Sequence, residues 1–211
     1  MKIRTLFAIY FFIGIILVGC GAGAPVNTAT PVYTATPVYT PTPRNTTTAD
    51  LTNVSLKTED LPIGFHQFTE DEIKSMGDMD LPSMVKAFGG GANIVKTNLY
   101  GKNPTTIEFL VEALFYPLSS ELIGQMDKGF LNPDLIVQSL EGSQVLPNLS
   151  GIGGGSMGMT TIVQGIKMDL LMIRRNNTLI VLLEVYQSET SNFDLKVIGQ
   201  KEDQVVLAEY K

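Results

Sequence analysis

Ser156 is the residue whose surroundings look most like catalysis. It lies in the stretch GIGGGSMGM, residues 151–159, which fits two patterns at once. Gly153, Gly155 and Gly158 match G-x-G-x-x-G, where a strand feeds a glycine turn that opens a helix, and the helix's first amides hold a pyrophosphate. Gly154, Ser156 and Gly158 match G-x-S-x-G, the nucleophile elbow of hydrolases, which also needs a following helix, an acid and a histidine. Neither pattern has its context. The sequence after Gly158 alternates like a strand, Asp169 falls inside another strand pattern, and the one histidine, His66, lies upstream just before a capped helix. The stretch therefore reads as a glycine-rich loop entering a strand, with the Ser156 hydroxyl bonded to nearby backbone.

Other chemistry-bearing residues are sparse. Glu108 and Glu112 lie four apart on one strand face, about 13 Å between α-carbons at 3.3 Å per residue. Carboxylate chemistry would need their side chains to converge, and a solvated face is the expected reading. Arg174 and Arg175 precede a hairpin turn, where alternation sends them to opposite faces. One can meet an acidic ligand or a helix C-terminus, and the preferred reading is exposed edge charge that discourages aggregation. Ser156, Arg174 and Arg175 are thus the candidate binding residues. With one histidine and one cysteine, no zinc site and no other metal is expected. "TEDE" and "DMD" near 69–80 lack the calcium-loop spacing, and no cofactor is expected. The methionines read as core fillers.

The N-terminus speaks to location. Lys2 and Arg4 precede a 13-residue apolar run over 6–18. Such a helix covers about 20 Å, short of the roughly 30 Å hydrocarbon core, so the run reads as a secretory signal. It ends in Leu17-Val18-Gly19-Cys20, which resembles the lipobox of bacterial lipoproteins. That resemblance implies cleavage between Gly19 and Cys20 and lipidation of Cys20. Cys20 is the only cysteine, so no disulfide can close within the chain. Residues 21–49 hold five prolines, no acid and a repeated TATPVY, a composition for a disordered, extended tether. All 21 acidic residues follow, from Asp50 onward, with 12 Lys and Arg in the same span, leaving the domain at −9. That balance disfavours nucleic acid.

Residues 50–211 read as one α+β domain, an antiparallel sheet with helices packed on it. Thr69 and Glu72 form a capping box, with Phe68 and Ile73 as a hydrophobic staple. A short helix follows over 80–88, then strands over 92–100 and 105–116. Ser119 and Asn132-Pro133-Asp134 each start a helix, the second ending at Gly142. Three strands come next, turning near Gly165 and at Asn176-Asn177. Ser191 or Asn192 caps a last helix, whose apolar face is read as Phe193, Val197, Ile198, Val205 and Leu207.

"LPIGF" (61–65), "GIGGGSMG" (151–158) and "IRRNNTLIVLLEV" (173–185) resemble a family of small bacterial secreted and lipoprotein domains, Chloroflexi-like in their Pro/Thr tethers. More loosely, the element order is similar to the α/β/α sandwich of a photosystem extrinsic subunit and a Ran-binding regulator. Gly154 stands where that family has Asp, and Asn176 where Gly is common. The resemblance implies fold and placement and carries no reaction. Together these readings expect a lipoprotein on the extracytoplasmic face of the cell membrane. Its domain is expected to be non-enzymatic, binding an envelope protein or a small apolar ligand. The alternatives are an envelope hydrolase using Ser156 and an assembly factor for a membrane complex.

Overall fold

Among the described residues seven strands form one antiparallel sheet. In chain order they are β1 (His66–Gln67), β2 (Ile94–Gly101), β3 (Glu108–Phe115), β4 (Gln144–Val145), β5 (Ser156–Val163), β6 (Ile166–Arg175) and β7 (Thr178–Tyr186). Their spatial order is β1-β2-β3-β7-β6-β5-β4. Among the described residues five α-helices accompany them: α1 (Glu70–Ser75), α2 (Leu81–Lys86), α3 (Ser120–Leu131), α4 (Pro133–Gln138) and α5 (Leu195–Ala208). The computed structural model describes residues 49–77, 80–138 and 142–210. The signal sequence, Gly19, Cys20, the tether before Ala49, Met79 and the segment leading to Gly142 lie outside the described residues.

Local signals place most of these elements. Thr69 and Glu72 make the reciprocal capping box at the start of α1, and the Ser119 side chain caps α3. Val163 pairs with Ile166 across Gln164-Gly165, and Arg175 pairs with Thr178 across Asn176-Asn177. Both turns are two residues long, and Asn176 sits at φ 52°, a conformation Asn tolerates. β7 occupies the centre of the sheet and is buried along its whole length, which explains its almost uniformly apolar sequence.

Period-2 alternation then splits the core into two layers. On the first face Phe109, Val111, Met159, Leu170 and Val181 meet Met84, Val85 and Ile123 of α2 and α3. On the second face Leu110, Leu114, Leu171, Ile173 and Leu182 meet Ile198 and Val206 of α5, together with a strap over residues 51–65. Helices thus cover both faces, and the architecture is α+β.

The last helix departs from expectation. Asp194 caps it, its side chain accepting from the Lys196 and Val197 amides. Val197, Val205 and Leu207 are exposed, while the buried side carries Leu195, Ile198, Gly199, Glu202, Asp203 and Val206. Of the two buried acids, Glu202 meets Glu112 and Asp203 meets Arg175, and they made the buried stripe look polar in sequence. Gly199 is a contact point, because a Cβ there would lie 2.6 Å from Leu171 Cδ2.

Candidate functional site

Ser156 opens β5 and is 4 % exposed. Its hydroxyl donates to the Leu149 carbonyl and accepts from the Ile152 amide, each at 2.9 Å. His66 lies in β1, five positions away in the sheet order, roughly 24 Å at 4.8 Å per strand. Its Nε2 sits 3.0 Å from Glu72 Oε1. The structure does not bring the two together, and Ser156 serves to close the loop onto the strand.

The glycine-rich loop is wrapped around Arg174. The Gly154 amide donates to the Arg174 carbonyl, and the Arg174 amide donates to the Gly155 carbonyl, both at 2.8 Å. Gly153 has φ 67°, and a Cβ there would come within 2.7 Å of Asp203 Oδ1 and Ile173. The Arg174 guanidinium donates to Asp127 Oδ1 at 2.8 Å, the Gly154 carbonyl at 2.9 Å and the Asn176 carbonyl at 3.2 Å. Arg175 points to the other face and grips Asp203 of α5 with Nε and Nη2. The expected alternation therefore holds, but the expected exposed edge charge does not. Arg174 is buried, Arg175 is largely covered, and each ties a helix to the sheet.

The second face of the sheet holds the feature that sequence reading missed. Glu112 is 0 % exposed, not part of a solvated face. Its Oε2 accepts from Asn98 Nδ2 at 2.7 Å and from the Tyr100 hydroxyl at 2.5 Å, and its Oε1 accepts from the Leu56 amide at 3.3 Å. Glu202 comes down from α5 onto Glu112, itself 1 % exposed. Burial, then the neighbouring Glu112 charge and the hydrogen bond to it, push the Glu202 carboxyl far above the usual carboxylate range. Glu202 is thus the protonated member of an acid–carboxylate pair. Glu108 does not join them and meets Asn192 instead.

A second carboxylate pair leaves one oxygen on each member unpartnered, where the first leaves only Glu202 Oε1. Asp169 on β6 and Glu184 on β7 are direct cross-strand partners, an arrangement that holds α-carbons about 4.5–5.5 Å apart. The Tyr186 hydroxyl donates to Asp169 Oδ2 at 2.9 Å, and Ser191 Oγ donates to Glu184 Oε1. The other oxygen of each, Asp169 Oδ1 and Glu184 Oε2, is buried and has no hydrogen-bond partner. Glu184 as a residue is 1 % exposed. Burial raises its pKa to about 7, opposed by the Ser191 hydrogen bond and the Phe193 amide and reinforced by the charges of Asp169 and Glu108.

Both acids line a cleft of about 380 Å³, walled by Leu146, Leu149, Phe193 and Leu195 and edged by Asn148, Asp194 and Lys196. Such a recess accepts hydrogen bonds, favours a cation and exchanges a proton near neutral pH. Among the described residues no three His, Cys, Asp or Glu side chains gather as metal ligands.

One signal could have found this pair. The two-residue Asn176-Asn177 turn sets Arg175 opposite Thr178, and six steps back along each strand put Asp169 opposite Glu184. That deduction needs the turn length, which the sequence supplied. Glu112 and Glu202 are different, since only the docking of α5 brings them together.

No protein-family model, curated protein or solved structure matches the chain.

Proposed function

We propose that this chain is a membrane-anchored lipoprotein of the cell envelope. Its α+β domain is a non-enzymatic binding module whose binding site is the Asp169–Glu184 cleft. The observation that carries the binding role is the pair of buried, unpartnered carboxylate oxygens on residues that line one cleft. Each such oxygen costs about 1–3 kcal/mol of unrecovered desolvation, and a ligand that donates to both recovers it. The non-enzymatic reading draws support from Ser156, whose hydroxyl is occupied by backbone on both sides. The anchor rests on the lipobox ending at Cys20 and on the absence of any other cysteine.

Membrane fractionation and mass spectrometry test the anchor. Wild type should sediment with membranes and carry acyl mass on Cys20, and Cys20→Ser should appear in the soluble fraction. A variant that stays membrane-bound, beside a wild type without lipid mass, overturns it. Native mass spectrometry of protein drawn from its own membranes tests the cleft. A small-molecule adduct should accompany wild type and vanish in Leu195→Trp, which fills the cleft. An adduct unaffected by Leu195→Trp, or no adduct, counts against the binding role.

A further inference from the structure

The chemistry of the Asp169–Glu184 cleft also points to a ligand class; this step rests on the binding reading above. Elsewhere on the second face, the buried acids face partners within the chain, although Glu202 Oε1 also has no hydrogen-bond partner. Asp203 is gripped by Arg175, and Glu112 gathers Asn98, Tyr100, the Leu56 amide and protonated Glu202. Among the described residues, Asp169 and Glu184 form no ion pair within 4.0 Å. Acids directly opposite on adjacent strands repel, and here Glu184 is buried and Asp169 half-buried, which strengthens the repulsion.

We propose that the cleft binds one primary alkylammonium group, its N–H donors reaching Glu184 Oε2 and Asp169 Oδ1 and its chain lying against Leu149, Phe193 and Leu195. The arrangement of free oxygens selects ammonium over guanidinium. Ser191 already holds Glu184 Oε1, and Tyr186 already holds Asp169 Oδ2. Each carboxylate therefore offers a single oxygen. A guanidinium fork wants both oxygens of one carboxylate, whereas an ammonium has three donors that turn to separate acceptors. Calcium wants six to eight oxygens, and this recess presents two free carboxylate oxygens. The apolar walls suit an alkyl stem.

The charges around Glu184 agree with a cationic guest. Asp169 faces it from β6, and Glu108 adds negative charge from β3. At the start of α5, Asp194 and Lys196 edge the cleft. The Asp194 carboxylate takes the Lys196 and Val197 amides, so the positive end of that helix is already answered by its own cap. Lys167 donates to the Glu189 carbonyl and lies 5.8 Å from the centre of the Tyr186 ring. Without a guest, a proton on Glu184 supplies the missing positive charge, and the guest displaces it.

Isothermal titration of the full-length protein in detergent tests this, with n-butylammonium chloride and Nα-acetyl-lysine amide as probes and n-butanol and potassium chloride as comparators. At least one ammonium probe should bind at pH 8 and weaken about 30-fold at pH 5.5, the ratio of ionised Glu184 expected for a pKa of about 7. Near pH 6.5, where most Glu184 carboxyls carry a proton, its heat should vary with buffer ionisation enthalpy as that proton is released. Glu184→Gln and Asp169→Asn should each weaken binding at least tenfold while melting no lower than wild type. Tighter binding of the lysine amide identifies a peptide side chain as the source of the ammonium; tighter binding of butylammonium identifies a free amine. Equal binding of butanol, potassium or the Glu184→Gln protein overturns the ammonium assignment and leaves the binding role standing. No binding by either ammonium overturns it too, and the adduct measurement on native membranes then decides the binding role separately.

Discussion

Glu202 holds a proton because the fold leaves it little choice. Ionising it would place a second bare charge beside Glu112 under α5, so the folded state keeps it neutral. The sign of the resulting pH dependence is fixed. The folded-state pKa lies above the unfolded value near 4.5, so this contribution is complete below about pH 4.5 and is lost as pH rises towards the folded value. Glu184 acts the same way over a narrower window, from 4.5 to about 7. Glu202→Gln keeps a donor for Glu112 and removes the titration. One pKa unit is about 1.4 kcal/mol, and 1 kcal/mol moves Tm by about 2–4 °C in a domain of this size. The variant should therefore melt at least 3 °C above wild type at pH 9 and close to it at pH 4.5, by scanning calorimetry. Parallel pH profiles for the two proteins would show that Glu202 is not held neutral.

At the scale of elements, α5 fits closely onto the molecule's second layer. Gly199 lets the helix approach the sheet, where an added Cβ would meet Leu171 at 2.6 Å and Ile173 at 2.9 Å. Gly199→Ala trades about 1 kcal/mol of helix propensity against that overlap and should stay within about 1 kcal/mol of wild type. Gly199→Val adds branched bulk and should lose about 1–3 kcal/mol in urea unfolding; a Val variant as stable as wild type would mean the helix does not bear on Leu171. This helix also marks where sequence reading fails. The strands and turns of the C-terminal meander were legible, because Gly165 and Asn176-Asn177 punctuate an alternating pattern and their length sets the register. The buried face of α5 was not. Of the residues read as its apolar face, Phe193 and Ile198 are buried, but Val197, Val205 and Leu207 face solvent, while Glu202 and Asp203 turn inward. Burial of an acid depends on partners contributed from β3 and β6, and no window along α5 contains Glu112 or Arg175. For the same reason Arg174 and Arg175 were placed on the right faces but given the wrong surroundings.

The whole molecule is a sheet closed on its second face by two unlike covers, a helix and an irregular strap. Leu51, Val54 and Leu56 of the strap are buried. At about 1.5–3 kcal/mol each they contribute about 5–9 kcal/mol as an upper estimate, against a typical total of about 5–15. Deleting residues 49–57 should therefore abolish a cooperative thermal transition and expose dye-binding apolar surface over Leu110 and Leu114. A cooperative melt within a few degrees of wild type would show that the strap is decoration. The strap begins at one bridge, Ala49 with Tyr210, supported by the Ala49 amide donating to the Tyr116 hydroxyl at 3.3 Å. Under the proposed tether, a pull that arrives at Ala49 enters the described fold there. Force meets that bridge first, then Leu51, Val54 and the Leu56–Glu112 bond, before it reaches a strand of the central sheet. Under the proposed tether the strap is in that sense a mechanical fuse: it lets go ahead of β6 and β7, whose second face carries the cleft.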